Sequence, residues 1–129
     1  MCILPETTLK LSWSAASDYC LRHGAVLAQD AVVIKTRRYL NDLYGETGTR
    51  ERWPLWVGGK EIMKDHEKTW MWADSSLVPD FLWNKGHPRS YTRRQAPDGT
   101  CMFLDGYKNF YASSLPCHYR RRFVCQLPD

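Results

Sequence analysis

Residues 55–59, which read LWVGG, are the most informative part of this sequence for its fold. Three consecutive large apolar residues follow Pro54 and end at two glycines, which predicts a short buried strand bounded by turn residues. A similar run at residues 70–73 reads WMWA and predicts the next strand. The residues between them, 61–68, are rich in charge and indicate a turn region.

Two helices are predicted before these strands. Ser12 precedes residues 15–23 and Gly24 follows them, and a Ser before and a Gly after a segment are typical helix boundaries. Residues 31–44 contain an apolar stripe at helical spacing and are followed by Gly45, which predicts a second helix that ends there.

The remaining chain predicts short strands and one long loop. Strands are expected at residues 101–104 and 109–111, around an Asp105-Gly106 hairpin turn, and at residues 122–125. Residues 74–100 show no periodicity, and a stretch of this length inside a compact domain is often functional. The predicted fold class is α+β, with two helices, short antiparallel sheets and a long irregular loop.

Composition limits the class of protein. A chain of 129 residues predicts a single domain spanning residues 1–129. The net charge is +4, which is too small a bias to identify a nucleic-acid binder. No apolar run approaches the ~20 residues that a membrane-spanning helix needs, and no secretory signal is evident. We therefore expect neither nucleic-acid binding nor a membrane span in this chain.

The cysteines indicate an oxidising compartment. There are 5, widely spread and without a Cys-x-x-Cys pair, which favours disulfides over a zinc or redox site. An odd number leaves one unpaired, and Cys2 is predicted to be that residue, with its partner upstream. We accordingly expect an extracellular domain, secreted or part of a membrane protein's ectodomain, taken from a larger protein.

The order of these features resembles the C-type lectin-like domain over nearly the whole chain. The matching pieces are WSAASDYC for the first helix, LWVGG for the family's Trp-Ile-Gly-Leu strand, WMWADSS for its Trp-x-Trp-x-Asp-Gly element, and CMFLD, LPC and RRFVC for its closing strands. The resemblance implies disulfides Cys20–Cys125 and Cys101–Cys117. It also implies recognition, as in receptors and adhesion molecules, and no enzymatic activity.

Sugar-binding members of that family hold one Ca²⁺ through a Glu-Pro-Asn or Gln-Pro-Asp loop motif and a Trp-Asn-Asp strand motif. Here His87 and Arg89 stand at the two ligand positions of the loop motif, and residues 112–114, Ala-Ser-Ser, stand at the strand motif. Calcium needs 6–8 oxygen ligands, several of them carboxylates, so no metal or other cofactor is expected. Ala96-Pro97-Asp98 resembles the sugar motif but lies too close to Cys101 for a good match.

The corresponding loop segment, residues 85–94, reads KGHPRSYTRR and contains no carboxylate. Arginine makes planar, bidentate contacts with carboxylate, sulfate or phosphate, and tyrosine with arginine is a frequent pairing at interfaces. The predicted ligand-binding residues are Lys85, His87, Arg89, Tyr91, Arg93 and Arg94. The simplest alternative is a solvated loop without a ligand. The run 120–122, Arg-Arg-Arg, is expected to alternate between strand faces and so to form no patch.

Calcium-independent binding of an extracellular protein through the loop at residues 80–99 is the predicted function. The alternative is glycan binding: of a sulfated polysaccharide through Arg89, Arg93 and Arg94, or secondarily of a neutral sugar through Ca²⁺. No catalytic motif is present, and Ser113, Ser114 and His118 lack the third residue that would orient a nucleophile and base. The protein is therefore not expected to be an enzyme.

Overall fold

The computed structural model describes residues 2–47, 54–106 and 109–127. These ranges contain two α-helices and seven strands, in the order β1 (Cys2–Leu11), α1 (Trp13–Arg22), β2 (Val26–Leu27), α2 (Ala31–Thr47), β3 (Pro54–Lys64), β4 (Glu67–Met71), β5 (Thr100–Asp105), β6 (Tyr111–Pro116) and β7 (Arg121–Leu127). The α+β prediction is confirmed.

One mixed sheet organises the domain. Its main path is β1-β7-β3-β5-β6, with β2 paired to β7 and β4 paired to β3. The neighbours are antiparallel except β3 and β7, which run parallel with Leu55 opposite Arg122. Strands β1 and β6 therefore form opposite ends of this path, and any surface built on one is separated from the other by the three strands between them.

The first strand is the element that sequence patterns did not predict. Strand β1 pairs with β7 from Cys2 opposite Leu127 to Leu11 opposite Arg121. Pro5 breaks the apolar pattern, and proline is tolerated in a strand mainly at a sheet edge, where its missing N–H is not needed. The position of β1 at the end of the sheet explains how this sequence forms a strand.

Helix α1 begins at Trp13, two residues before the predicted segment, whereas α2 begins at Ala31 as predicted but is longer. The Ser12 hydroxyl accepts a hydrogen bond from the Ala15 N–H at 3.4 Å and caps α1. Gly24 follows α1 with φ +70°, a conformation that glycine adopts without strain. Gly45 lies inside α2 instead of ending it. A glycine near a helix end costs only about 1 kcal/mol, so packing elsewhere in α2 outweighs it.

The Gly58-Gly59 pair lies inside β3 and does not end it, contrary to the sequence prediction. A Cβ at Gly58 would lie 3.2 Å from the carbonyl oxygens of Leu27 and Ala28, and one at Gly59 would lie 3.0 Å from Met102 Cβ. Both glycines are buried, so they are needed for close packing. The chain turns later, at Asp65-His66, between β3 and β4.

Two disulfides join distant parts of the fold. Cys20 in α1 bonds to Cys125 in β7, and Cys101 in β5 bonds to Cys117 just after β6. Both pairs are the ones that the resemblance implied, and they lie in the cluster that also contains Trp56. A second cluster under α2 includes Leu55 and Val57, so the strand LWVGG contributes to both halves of the core. Within the described ranges, no helix is long and apolar enough to span a bilayer.

Candidate recognition surface on the long loop

The segment between β4 and β5, residues 72–99, is defined here as the long loop. It contains a single 3-10 turn, Asp80–Leu82, and then runs along the outer edge of β6. Trp83 bridges to Ala112, and the Asn84 N–H donates to the Ala112 carbonyl oxygen at 2.8 Å. The loop thus covers a strand edge whose N–H and C=O groups would otherwise face solvent.

Ser114 in β6 fastens the middle of the long loop. Its hydroxyl accepts a hydrogen bond from the Arg89 N–H at 2.7 Å and donates to the Arg89 carbonyl oxygen at 3.3 Å. Its own N–H donates to His87 Nδ1 at 3.4 Å, and its carbonyl oxygen accepts from the Tyr91 hydroxyl at 3.1 Å. Every polar group of this buried serine is therefore bonded to the loop. Three predicted ligand-binding residues, His87, Arg89 and Tyr91, meet at this one point.

This geometry fixes the form of His87. A backbone N–H can only donate, so Nδ1 must be unprotonated and the imidazole neutral when the Ser114 hydrogen bond is made. Burial lowers the pKa of His87 from its ordinary value, the nearby Arg89 charge lowers this pKa further, and Asp105 opposes both effects. The peptide bond between His87 and Pro88 is cis.

Arg93 and Arg94 lie on a separate small turn of the loop. The Thr92 hydroxyl accepts from the Gln95 N–H at 3.2 Å, while the Gln95 side-chain oxygen accepts from the Thr92 N–H at 3.0 Å. This reciprocal pair is the capping-box arrangement found at helix starts, and the Ala96 N–H closes the turn on the Thr92 carbonyl oxygen. Both arginines between the capping residues are exposed.

The lysine and arginine side chains of the loop are not ion-paired within the described residues. Within the described part of the chain, Lys85, Arg89, Arg93 and Arg94 make no ion pair, and all four residues are exposed. Tyr91 differs from them because it is half-buried and its hydroxyl is bonded inside the fold. The structure therefore fastens His87, Arg89 and Tyr91 to Ser114 and exposes Lys85, Arg93 and Arg94, while Arg89 is fastened through its backbone and is itself exposed.

An apolar groove beside the loop was not predicted. It measures about 490 Å³ and is lined by Lys68, Thr69, Trp70, Leu77, Val78, Pro79, Asp80, Trp83 and Pro88. Trp56 and Trp72, which lie in the two predicted strands, are buried. Trp70 is instead only half-buried and meets Trp83 edge to face, with ring centroids 4.7 Å apart. The WMWA alternation places Trp70 and Trp72 on the same strand face, so periodicity alone could not separate their roles.

The groove is bordered by exposed apolar side chains. Leu77 is 65% exposed, and Phe81, which follows the groove residue Asp80, is 68% exposed. Large apolar side chains at this exposure next to a concave surface are typical of interaction sites. Sequence reasoning missed the surface because its residues come from β4, the start of the loop and the loop's middle.

Two other candidate chemistries find little geometric basis. In the described ranges, no three residues among His, Cys, Asp and Glu are grouped so that they could hold a metal ion. The Ser114 hydroxyl is engaged with Arg89, and the Ser113 hydroxyl is buried without a hydrogen-bond partner. His118 is exposed and its ring contacts Tyr119, so neither serine is hydrogen-bonded to it.

Comparison with known proteins agrees with the fold. The chain is 29% identical to the human early activation antigen CD69 over 122 residues, covering 95% of this chain and 49% of that protein. It thus spans about half the length of that relative. A C-type lectin from the tunicate Polyandrocarpa misakiensis superposes with a TM-score of 0.72 at 20% identity, covering 99% of this chain and 98% of the other.

The Ca²⁺-independent C-type lectin SPL-2 from Saxidomus purpuratus superposes with a TM-score of 0.71 at 16% identity, covering 96% of this chain and 83% of that one. The sequence model of the lectin C-type domain matches residues 9–127, which is almost all of this sequence. The chain therefore belongs to the lectin C-type domain family.

Proposed function

We propose that this domain is a calcium-independent extracellular recognition module that binds an acidic protein partner through the long loop. The main support is the hydrogen-bonding of Ser114, which fastens the loop at His87, Arg89 and Tyr91 using only groups of the protein. The positions that would supply calcium ligands in sugar-binding relatives are occupied here by groups already bonded to each other.

Charge supports the absence of a calcium requirement. Arg89 stands at one ligand position and His87 at another, and a cation is repelled by a guanidinium at short range. Calcium also needs several carboxylate oxygens, which neither Ser113 nor Ser114 offers. The fold itself does not decide the question, because both a Ca²⁺-independent lectin and a Ca²⁺-dependent antifreeze protein share it, with TM-scores of 0.71 and 0.70.

The displayed cations favour an acidic ligand. Lys85, Arg89, Arg93 and Arg94 have no ion-pair partner in the described part of the chain, so an approaching carboxylate need not displace an internal one. Arginine adds two parallel hydrogen bonds to each such contact. Complementary charge mainly accelerates association and selects the partner.

The groove favours a protein over a glycan. Interface hot spots combine aromatic and arginine residues around a pocket that excludes water. Trp70, Leu77 and Trp83 line the groove, and Leu77 is largely exposed. An apolar side chain flanked by acidic residues would fill the groove while its carboxylates meet the loop cations. The two disulfides support an extracellular location, and recognition without catalysis is the general role of this family.

The second candidate is a sulfated polysaccharide bound by Arg89, Arg93 and Arg94. The unpaired, exposed guanidiniums favour it, since sulfate accepts the same bidentate contacts as a carboxylate. Salt distinguishes the two candidates. Binding of a polyanion to exposed cations weakens steeply with ionic strength, whereas an interface with an apolar centre weakens less.

Displayed libraries of random peptides, selected against the domain in parallel in EDTA and in CaCl₂, test the proposal. We expect the enriched peptides to pair acidic residues with an aromatic or aliphatic residue. Their affinity should fall about tenfold in Arg93→Gln/Arg94→Gln and in Leu77→Ser. Met63→Ser, which alters an equally exposed apolar residue in β3, is the matched control for Leu77→Ser. Enrichment that depends on calcium, or affinities unchanged in both loop variants, would overturn the proposal.

A further inference from the structure

We propose that a second anion site, a basic cleft on the far side of the sheet path from the long loop, binds the sulfate groups of a polysaccharide. The cleft is lined by Lys10, Pro54, Arg120, Arg121 and Arg122 and measures about 150 Å³. It lies where the end of β1 and the starts of β3 and β7 meet. The proposal does not rest on the function proposed for the loop.

The strand pairing explains why these residues come together. Leu11 lies opposite Arg121 across β1 and β7, so its neighbour Lys10 is beside the start of β7. Leu55 lies opposite Arg122 across β3 and β7, which brings Pro54 to the same place. Because side chains alternate between the two faces of a strand, the sequence predicted that Arg120, Arg121 and Arg122 would not form one patch. Arg120 precedes β7, however, and a cleft at strand ends is open to side chains of both faces.

Arg121 is oriented before any ligand binds. Its Nη1 donates to the Arg120 carbonyl oxygen at 2.7 Å, and its guanidinium carbon lies 5.3 Å from the centroid of the Tyr119 ring. A guanidinium fixed by a hydrogen bond and an aromatic face loses less conformational entropy when it meets an anion. The remaining N–H groups of its planar fork are suited to bidentate contact with a tetrahedral oxyanion.

The other three cations of the cleft differ in whether their side chains already interact with other groups of the protein. Lys10 and Arg120 are exposed and make no ion pair within the described residues. Arg122 has a partner within the protein, so the proposed site consists of Lys10, Arg120 and Arg121. Among the residues that the structure describes, no carboxylate lines the cleft. Like charges held this close repel one another, and a bound anion relieves that repulsion.

The size of the cleft favours a sulfate ester over a protein side chain. It is much smaller than the groove beside the long loop, and none of the described residues that line it is aromatic. Because β1 and β6 are opposite ends of the sheet path, a polysaccharide in the cleft would leave the long loop free. The domain would then hold a sulfated matrix and a protein partner at the same time.

Calorimetric titration with a heparin-derived octasaccharide tests the site, using two variants that remove the same charge. Lys10→Gln/Arg120→Gln should weaken binding at least about tenfold. Lys35→Gln/Arg38→Gln, which removes two exposed charges of α2, is the matched control and should stay within about twofold of the wild type, since only screened long-range attraction is lost. Arg93→Gln/Arg94→Gln, the loop variant, tests the long loop as the competing site. Arg121→Lys, which keeps the charge but removes the planar fork, should weaken binding about threefold.

The outcomes separate the alternatives. Equal weakening by the cleft variant and the α2 control would mean that binding follows net charge alone, and it would overturn the proposed site. Stronger weakening by the loop variant would assign the polysaccharide to the long loop. Absence of binding by the wild type, or unchanged binding to the desulfated octasaccharide, would also overturn it. Thermal unfolding of each variant verifies that the fold is intact, and Lys10 and Arg120 are exposed residues whose replacement should not disturb it.

Discussion

The hydroxyl of Ser114 binds the backbone of Arg89 on both sides, accepting from its N–H at 2.7 Å and donating to its carbonyl oxygen at 3.3 Å. A residue of an edge strand therefore sets the path of the loop that displays Arg89. The loop keeps its shape through hydrogen bonds within the protein, and its cations are presented from a fixed backbone. Recognition surfaces gain affinity from such preorganisation because less entropy is lost on binding.

Ser114→Ala should destabilise the domain by about 2 kcal/mol, because it removes two hydrogen bonds and leaves the Arg89 backbone groups to find other partners. The adjacent Ser113→Ala is the matched control. The Ser113 hydroxyl is buried without a hydrogen-bond partner, so its removal should be neutral or slightly stabilising. Urea unfolding of both variants measures the difference. If both substitutions lower the free energy of unfolding by the same amount, the loop is not fastened through Ser114.

His87 should make stability depend on pH. Because its folded-state pKa lies below the ordinary 6.5, the neutral form is favoured by folding. The stabilisation it contributes is present above about pH 6.5 and is lost as the pH falls through the lower folded-state value. His87→Asn should therefore unfold at a lower temperature than the wild type near neutral pH, and this gap should narrow in acid.

Thermal unfolding at a series of pH values, with His66→Asn as control, verifies the assignment. His66 lies in the exposed β3–β4 turn with φ +69°, a conformation that asparagine tolerates. Its replacement should leave the pH dependence of the wild type unchanged. A gap between wild type and His87→Asn that stays constant with pH would contradict the role given to the imidazole.

The sequence predicted those elements whose apolar pattern is local and missed those that depend on pairing or packing with distant residues. The runs around Trp56 and Trp70 are short and strongly apolar, so the presence of β3 and β4 and the order of elements could be predicted, although β4 spans Glu67–Met71 and not residues 70–73. Strand β1 could not, because Pro5 obscures the pattern and only pairing with β7 makes the segment a strand. The extent of β3 was underestimated because Gly58 and Gly59 look like a boundary when the packing against them is unknown.

The candidate site was predictable in composition but not in arrangement. An acid-free segment with four permanent cations is visible in the sequence, and so are the missing calcium ligands. Contacts between Arg89 and Ser114, which are separated by 25 positions, depend on the tertiary fold. The apolar groove and the basic cleft likewise combine residues from several elements, and local patterns contain no information about such distances.

Calcium should not stabilise this domain. An ion bound only by the folded state raises the free energy of unfolding by ~2.7 kcal/mol when its concentration is 100 times its Kd. We expect the unfolding midpoint to be the same in millimolar CaCl₂, in MgCl₂ of equal concentration and in EDTA, since Arg89 and His87 stand where ligand oxygens would be needed. An increase with CaCl₂ alone would contradict the proposed calcium independence and would direct ligand screening to neutral sugars.

The two disulfides should contribute unequally to stability and to the loop. Cys20 and Cys125 are 105 positions apart and Cys101 and Cys117 only 16. Loop-closure entropy gives about 4.7 kcal/mol for the first and about 3 kcal/mol for the second. Replacing each pair by alanine and measuring urea unfolding should reproduce that order. The shorter bridge lies beside the end of the long loop, where the Cys117 N–H donates to the Gly99 carbonyl oxygen. Removal of the shorter bridge should therefore also weaken ligand binding by the loop. Cys20→Ala/Cys125→Ala should not weaken this binding when it is measured under conditions in which the variant is folded.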